Sequence, residues 1–197
     1  MNIPVFGSPM DGGFYAGRIS IDDQEFNLIV APKAEGDYDD AVWIENYKEV
    51  PGAKSSFDGL SNTNAMVKAG SELAKWARDL RINGYDDWYL PAQDELEILY
   101  RAFKPSTETN SQYARSGINL STIPPTYPYT PEFPDQSSAE AFKKDGEQAF
   151  VDTWYWSSTQ HASYSECAWG QDFHNGNQDD YFTGYTLRAR AVRRSLI

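Results

Sequence analysis

The chain has 197 residues, an aromatic content of 15%, and a formal net charge of −12 with an isoelectric point near 4.5. This length suits a single domain over residues 1–197 that buries its own core. The acidic balance argues against nucleic acid and anionic membranes as partners, because both carry negative charge.

The first 58 residues predict a β-hairpin followed by a loop. Residues 14–21 and 25–30 have strand character, and Asp22 and Asp23 between them favour a turn. Residues 33–40 are polar and are expected to form a loop. The opening residues lack a basic segment followed by an apolar run, so we expect no secretory signal and synthesis in the cytoplasm.

The strongest helix signal covers residues 62–80, where apolar side chains recur at three-four spacing. Asn62 or Thr63 is the expected N-terminal cap. Trp76 lies on the apolar stripe and is predicted to enter the core. No run of about 18 apolar residues occurs, so we expect no insertion into a membrane.

A second helix is predicted over residues 92–103. Pro91 precedes it, and Asp94 and Glu95 occupy its first turn, where the helix dipole favours carboxylates. Together with the strands, the two helices indicate the α+β class.

Proline dominates the segment that follows. Residues 104–137 are rich in Pro, Ser, Thr and Tyr, and their prolines forbid long regular elements. We therefore predict an ordered but irregular insertion there. Residues 137–150 predict a weaker helix, with Gly146 as a defect.

The C-terminal region, residues 154–194, is predicted to form a sheet that carries display loops. Its strands are expected at residues 155–158, 168–173 and 187–193, separated by loops rich in Gly and Asn.

Arginines concentrate near the end of this region. Arg188 and Arg190 would share one face of a strand, since alternate residues of a strand point the same way. In a chain this acidic, pairing with carboxylates is favoured over binding of nucleic acid. The candidate partners are Asp86, Asp87 and Glu95.

Several short motifs follow one another in a specific order. They are Asp87-Trp88-Tyr89-Leu90-Pro91 with Glu95-Leu96, then Trp156-Ser157-Ser158, Ala168-Trp169 and Val192-Arg193. This set resembles the Lcl C-terminal domain family, also called DUF1566, over roughly residues 59–194. The resemblance implies a C-type-lectin-like fold, in which two helices pack on small antiparallel sheets with long irregular loops. Trp88, Trp156 and Trp169 of these motifs are expected to pack in the core.

The resemblance also carries expectations about function. The family is common in bacterial surface proteins, phages and prophages, and residues 13–17 and 28–33 are similar to phage-encoded members. Variable proteins of diversity-generating retroelements have a related fold and bind ligands such as host receptors through a diversified C-terminal segment. By this resemblance the chain is a virion-associated display protein that recognises a host surface protein or glycan.

The candidate binding residues lie in the loops 159–166 and 172–186. Tyr offers rigid contact area, and Asn, Ser and Gly offer adaptable hydrogen bonds, which is the mixture that antibody loops use. An ordinary solvated loop of the same composition is the competing interpretation. The predicted ligand-binding residues are Gln160, His161, Tyr164, Glu166, Asp172, His174, Asn175, Asn177, Gln178, Asp179, Asp180, Tyr181 and Tyr185.

Two other binding roles stay open. A decoration or assembly protein would use the same loops to contact other virion proteins, and a homotrimer is the assembly we consider for a fibre tip, because repetition raises avidity. A calcium-dependent sugar-binding lectin would need oxygen ligands such as Asp172, Asp179 and Asp180. The usual sugar-binding signatures of calcium-dependent lectins do not occur, so the prediction is that no cofactor is bound.

Catalysis is the remaining alternative. Cys167 is the only cysteine of the sequence, and it could act as a nucleophile with His161 or His174 as the base. The enzymatic relatives of the fold, the formylglycine-generating enzymes, rely on cysteine chemistry. A small packed residue is the favoured interpretation of Cys167, so we predict that the chain is not an enzyme.

Overall fold

The computed structural model describes residues 3–113 and 117–197, and it has a mixed α+β architecture. The helices are α1 Lys33–Gly36, α2 Gly59–Ala69, α3 Glu72–Asp79 and α4 Gln93–Phe103. The strands are β1 Pro9–Met10, β2 Gly13–Ile21, β3 Gln24–Val30, β4 Asp37–Val42, β5 Trp154–Gln160, β6 Cys167–Asp172, β7 Gln178–Phe182, β8 Thr186–Arg190 and β9 Val192–Leu196. They form one sheet in the order β1-β2-β3-β9 and a second in the order β4-β8-β5-β6-β7.

The predicted N-terminal hairpin is present as β2 and β3. Asp22 and Asp23 form its turn with positive φ angles of 49° and 61°, which match the two-residue turns that suit the twist of a hairpin. The end of the chain returns to this hairpin, because β9 pairs antiparallel with β3 and Val192 lies opposite Val30. The first and last strands of the chain are thus joined in one sheet.

The predicted helix over residues 62–80 is wrong in detail, because the structure divides it into α2 and α3. Gly70 ends α2 with a φ of 89°, a conformation that costs glycine nothing. Ser71 starts α3, where its Oγ accepts a hydrogen bond from the Ala74 N–H at 3.2 Å. The true cap of α2 is Asp58, which accepts from the Ser61 N–H at 3.1 Å, rather than residue 62 or 63.

Helix α4 confirms its prediction closely, and Glu95 fixes its start. The Glu95 Oε2 accepts hydrogen bonds from the N–H groups of Ala92 at 2.8 Å and Gly59 at 3.1 Å. Its Oε1 accepts from the Tyr89 hydroxyl at 2.6 Å. One buried carboxylate therefore satisfies the first turn of α4 and joins it to the start of α2.

Two local predictions are wrong. Residues 33–40, expected as a loop, form α1 and most of β4, because β8 supplies hydrogen-bond partners to a polar strand. Residues 137–150, expected as a helix, contain only the single helical turn Glu140–Phe142. Phe142 is fully buried and stacks on Phe103 at 3.8 Å between ring centroids, so one turn suffices to place it.

The proline-rich segment is irregular, as predicted. The described part of 104–137 contains no helix or strand, apart from a single bridge between Ile19 and Thr122. Hydrogen bonds from its side chains fix the segment to α4. The Asn110 Oδ1 accepts from the Tyr100 hydroxyl at 2.6 Å, and the Asn119 amide donates to the Asp94 carbonyl at 2.9 Å.

Large aromatic side chains fill the interior. Trp88 and Trp156 are fully buried, which confirms the core assignment of these two motif residues. Trp76 is only partly buried and packs against the core from its edge. Trp169 was also predicted to be core, but it is partly exposed.

Candidate functional site

Strands β6 and β7 present an open patch of sheet at one end. They pair antiparallel, with Trp169 opposite Asp180 and Cys167 opposite Phe182. Alternate residues of a strand share a face, so these four side chains lie together. Further along the same face, the buried Gln178 accepts a hydrogen bond from the Gln93 amide at 3.0 Å, so the start of α4 covers that end.

Two groups of rings border the open end, and we call their combined surface the aromatic face. It consists of His161, Tyr164 and Trp169 in one group and Tyr47, Phe182 and Tyr185 in the other, with Asp180 between the groups on the sheet.

The first group is built by the loop between β5 and β6. The His161 ring stacks on Tyr164 at 4.7 Å and lies 5.4 Å from the Trp169 ring, centroid to centroid. Its Nδ1 accepts hydrogen bonds from the N–H groups of Ser163 at 3.2 Å and Tyr164 at 2.9 Å, which fixes the ring orientation. Tyr164 remains 57% exposed, so a preordered ring faces solvent.

The second group caps the far end of β7. Phe182 lies 6.1 Å from Tyr47 and 5.7 Å from Tyr185, centroid to centroid, and all three rings are about half exposed. Asn46 and Tyr47 have positive φ angles of 71° and 47°, which turn the chain over the end of β7. A Cβ at Gly184 would lie 2.7 Å from the Tyr47 hydroxyl oxygen, so the Tyr47 ring packs closely over this glycine.

The predicted binding residues fall at two opposite ends of the strands. In an antiparallel arrangement, the loops that enter β6 and leave β7 lie at one end, and the turn between these strands lies at the other. His161, Tyr164, Glu166, Asp180 and Tyr185 therefore belong to the end with the aromatic face.

The other end carries His174, Asn175 and Asn177 in the turn between β6 and β7. The His174 N–H donates to the Asp172 carboxylate at 2.9 Å, and the Asn177 N–H donates to the Asn175 side chain at 3.0 Å. The His174 Nδ1 also lies 3.0 Å from an Asp152 carboxylate oxygen. Much of this polar side-chain capacity therefore shapes the turn itself.

Gln160 and Gln178 are buried, so they cannot belong to an exposed surface. The Gln160 Oε1 accepts from the Val50 N–H at 2.8 Å, and its Nε2 donates to the carbonyls of Lys48 at 2.9 Å and Ser165 at 2.6 Å. We correct their assignment from ligand binding to support, because their amides already have protein partners.

Asp179 and Tyr181 point away from the aromatic face. Tyr181 packs against Trp154 at 4.9 Å and Trp156 at 6.5 Å, centroid to centroid. Adjacent strand residues face opposite sides, so Asp179 and Asp180 are separated by the sheet. In the described ranges, no three His, Cys, Asp or Glu side chains converge as metal ligands.

Cys167 lies beneath the face between the two ring groups. It is 8% exposed, and burial together with the neighbouring Asp180 raises the pKa of its thiol to about 12. The thiol is therefore protonated at neutral pH and packs beside the Asp180 carboxylate, to which it hydrogen-bonds.

The C-terminal arginines form a different kind of array, which we call the arginine ladder: Arg188, Arg190, Arg193 and Arg194. Arg188 and Arg190 share a face, as predicted, and both reach Asp37, at 3.0 Å and 3.4 Å. Arg190 is fully buried, which lowers the pKa of its guanidinium to about 10 despite the nearby Asp37.

The other two arginines lie on β9, in the sheet that contains the N-terminal hairpin, and they also form ion pairs. Arg193 makes two hydrogen bonds to Asp87, at 2.6 Å and 2.9 Å, and Arg194 pairs with Asp58 at 2.9 Å. The predicted partners of Arg188 and Arg190 are wrong, because both pair with Asp37; of the three carboxylates named, Asp87 pairs with Arg193 instead. Asp37 was missed because its segment was predicted as a loop.

These features define an α+β domain whose strands carry a buried arginine ladder and an exposed aromatic face. The sequence profile of the Lcl C-terminal domain matches residues 39–193, so the chain belongs to the Lcl C-terminal domain family. The matched range contains the whole aromatic face. A search of curated proteins finds no match. Across the described ranges, no helix is long and apolar enough to cross a membrane.

Proposed function

We propose that this protein binds a surface molecule of a host cell, a protein or a glycan, through the aromatic face. One observation carries the proposal: six rings in two groups border one end of β6 and β7, and Tyr47, Tyr164, Phe182 and Tyr185 among them are between 45% and 57% exposed. Exposed rings gathered in one place mark interaction sites, because a partner recovers their apolar area.

The chemistry of the face suits a polar ligand with flat apolar patches, such as a sugar ring or an aromatic-rich protein loop. The rings provide contact area with few torsions to freeze. Asp180 lies between the two ring groups, where its carboxylate is placed to accept hydrogen bonds from ligand hydroxyls or amides. We propose that binding needs no calcium, since the sheet separates Asp179 from Asp180.

A binding role also agrees better than catalysis with the chemistry of Cys167. Its thiol is protonated and buried, whereas a nucleophilic cysteine needs a thiolate. The His161 Nδ1 already accepts two backbone hydrogen bonds. We therefore propose a protein without enzymatic activity.

The finer assignments rest on the sequence resemblance and on architecture. We infer a C-type-lectin-like fold, because α2, α3 and α4 pack with two small sheets whose strands are antiparallel except for the β5–β8 pair, and a long irregular insertion follows α4. We further propose that the protein is encoded by a phage or prophage and carried on the virion, where it recognises the host. A place in the virion lattice away from the host-facing tip would favour the alternative role in decoration or assembly.

The test compares binding to arrays of bacterial glycans and surface proteins between wild type and two triple variants. In the first, Tyr47, Phe182 and Tyr185 are all replaced by Ser. The matched control carries the same replacement at Tyr113, Ile118 and Leu120, which are 65%, 52% and 76% exposed and lie outside the face.

We expect the face variant to lose at least about 30-fold in affinity, which corresponds to the loss of one hot-spot side chain of about 2 kcal/mol. The control should bind as wild type does, and a chelator should change nothing. Equal binding by the face variant and wild type would refute the proposal. Binding abolished by the chelator would instead support a calcium-dependent lectin.

A further inference from the structure

A large apolar groove lies between the N-terminal segment and the proline-rich insertion. Residues 3–6 form one wall and residues 122–128 the other, above a floor that includes Ala16 and Ile98. Its volume of about 580 Å³ is within the range of small-molecule sites, roughly 300–1,000 Å³. The groove shares no residue with the aromatic face, so it is a separate feature.

Several apolar side chains in the walls of the groove are exposed to solvent. Val5, Tyr127 and Phe133 are 72%, 86% and 58% exposed, and all three line the groove. Such a concentration on an acidic, otherwise polar chain marks a surface that a partner covers.

Arg18 gives the groove its only described unpaired charge. Its Nε is buried and has no hydrogen-bond partner among the described residues, and no described carboxylate lies within ion-pair distance of its guanidinium. The other arginine of the groove, Arg101, is paired with Glu97. Arg18 as a whole is half-buried and its side chain hydrogen-bonds to Tyr15, so a carboxylate that enters the groove can supply the counter-charge that the described residues do not.

Tyr15 adds a second polar group at the same place. It lines the groove, and its hydroxyl lies close enough to Arg18 for the guanidinium to lower its pKa against the larger upward effect of burial. A guanidinium and a phenol hydroxyl together can donate hydrogen bonds to both oxygens of a carboxylate.

We propose that the groove binds an amphiphilic carboxylate of the fatty-acid class. The carboxylate pairs with Arg18 and Tyr15, and the hydrocarbon chain lies along the walls of residues 3–6 and 122–128. A neutral proline-rich peptide would cover the same apolar walls but would leave the Arg18 charge without a counter-charge, so it fits the groove less well.

The test is calorimetric titration with sodium laurate below its micelle concentration, and with dodecanol as the uncharged probe of equal chain length. We expect one laurate site per chain. Arg18→Met keeps the apolar stem and removes the charge, so it should weaken laurate binding about 10- to 100-fold, as for a lost charge-assisted hydrogen bond, and leave dodecanol binding unchanged. Arg81→Met, at an exposed arginine outside the groove, is the matched control and should change neither.

A second variant guards against a failure of Arg18→Met to fold. Val5→Asp changes an exposed wall residue and should weaken both amphiphiles, because it places a carboxylate beside the hydrocarbon chain. The proposal is overturned if wild type shows no saturable laurate site, or if Arg18→Met binds laurate as wild type does. It is also overturned if sedimentation shows that a second copy of the chain occupies the groove and excludes laurate.

Discussion

The side chains of two pairs of strands have different kinds of partner. Those of β8 and β9 form ion pairs, whereas those of β6 and β7 contribute to the aromatic face. Each arginine of the ladder meets a carboxylate: Asp37 serves two of them, and Asp87 and Asp58 serve one each. The rings of the aromatic face meet one another and solvent. The strands of the C-terminal region thus separate into a part whose charges are paired and a part whose rings stay exposed. The first holds the fold, and the second is free to bind.

The ladder works by connecting parts of the chain that lie far apart in sequence. Asp37 opens β4, so its pairs with Arg188 and Arg190 fix that strand to β8. Asp58 caps α2 and also meets Arg194 on β9. These charges are buried or half-buried, where the loss of one member leaves the other without compensation.

The largest expected effect follows from removing the shared carboxylate. Asp37→Asn leaves the fully buried Arg190 without a counter-charge, whereas Arg188 keeps the exposed Asp39, so we expect the free energy of unfolding to fall by about 3–5 kcal/mol. Urea unfolding followed by circular dichroism measures this change.

Asp39 provides the matched control. It pairs with Arg188 at 2.7 Å but is 68% exposed, so Asp39→Asn should cost less than about 1 kcal/mol. The double variant Asp37→Asn/Arg190→Met should recover part of the loss, because it also removes the stranded charge. Equal effects of Asp37→Asn and Asp39→Asn would contradict the view that burial gives the ladder its importance.

Glu95 extends the comparison to a buried acid behind the ladder. Burial raises its pKa from 4.5 to about 7, although its hydrogen bonds and Arg194 oppose the rise. A folded-state pKa above the unfolded value means that this group favours the fold below about pH 4.5 and ceases to do so as pH rises through 7. At about 1.4 kcal/mol per pH unit, the loss is about 3 kcal/mol.

Glu95→Gln isolates this contribution. The glutamine imitates the protonated acid, since its oxygen can accept from the N–H groups of Ala92 and Gly59 and its amide can donate to the Tyr89 hydroxyl. Urea unfolding between pH 4.5 and 8 should show a smaller decline with pH for the variant than for wild type. Parallel pH profiles would mean that Glu95 does not titrate in this range.

Local signals in the sequence predicted the elements that depend on local chemistry. The pair Asp22 and Asp23 indicates the hairpin turn, and Pro91 with the acidic first turn indicates α4. Strand β4 was not predicted, because its side chains are mostly polar and charged and it becomes a strand only by pairing with β8. The predicted continuous helix overlooked Gly70 followed by Ser71, a stop and a start signal in adjacent positions.

The sequence predicted some residues of the candidate site but not their arrangement, because the arrangement depends on strand pairing. Composition identified the loops with Tyr and His, but it could not show that antiparallel strands send them to opposite ends. Tyr47 joins the face only through backbone turns at residues 46 and 47 and a contact with Phe182. Phe182 itself was passed over as part of a loop, although a strand places it beside Cys167.

The smallest expected change in stability concerns the aromatic face. It is tested by comparing two adjacent residues of β7 whose side chains lie on opposite faces of the sheet. Phe182→Ser should lower the free energy of unfolding by no more than about 1 kcal/mol, because the ring is 45% exposed and its ring contacts are with the half-exposed Tyr47 and Tyr185. Tyr181→Ser should cost more, about 1–2 kcal/mol, because its ring packs against Trp154 and Trp156 on the other face. Urea unfolding of the two variants compares them directly. A larger loss for Phe182→Ser would make the aromatic face part of the core and would remove the physical basis for assigning ligand binding to it.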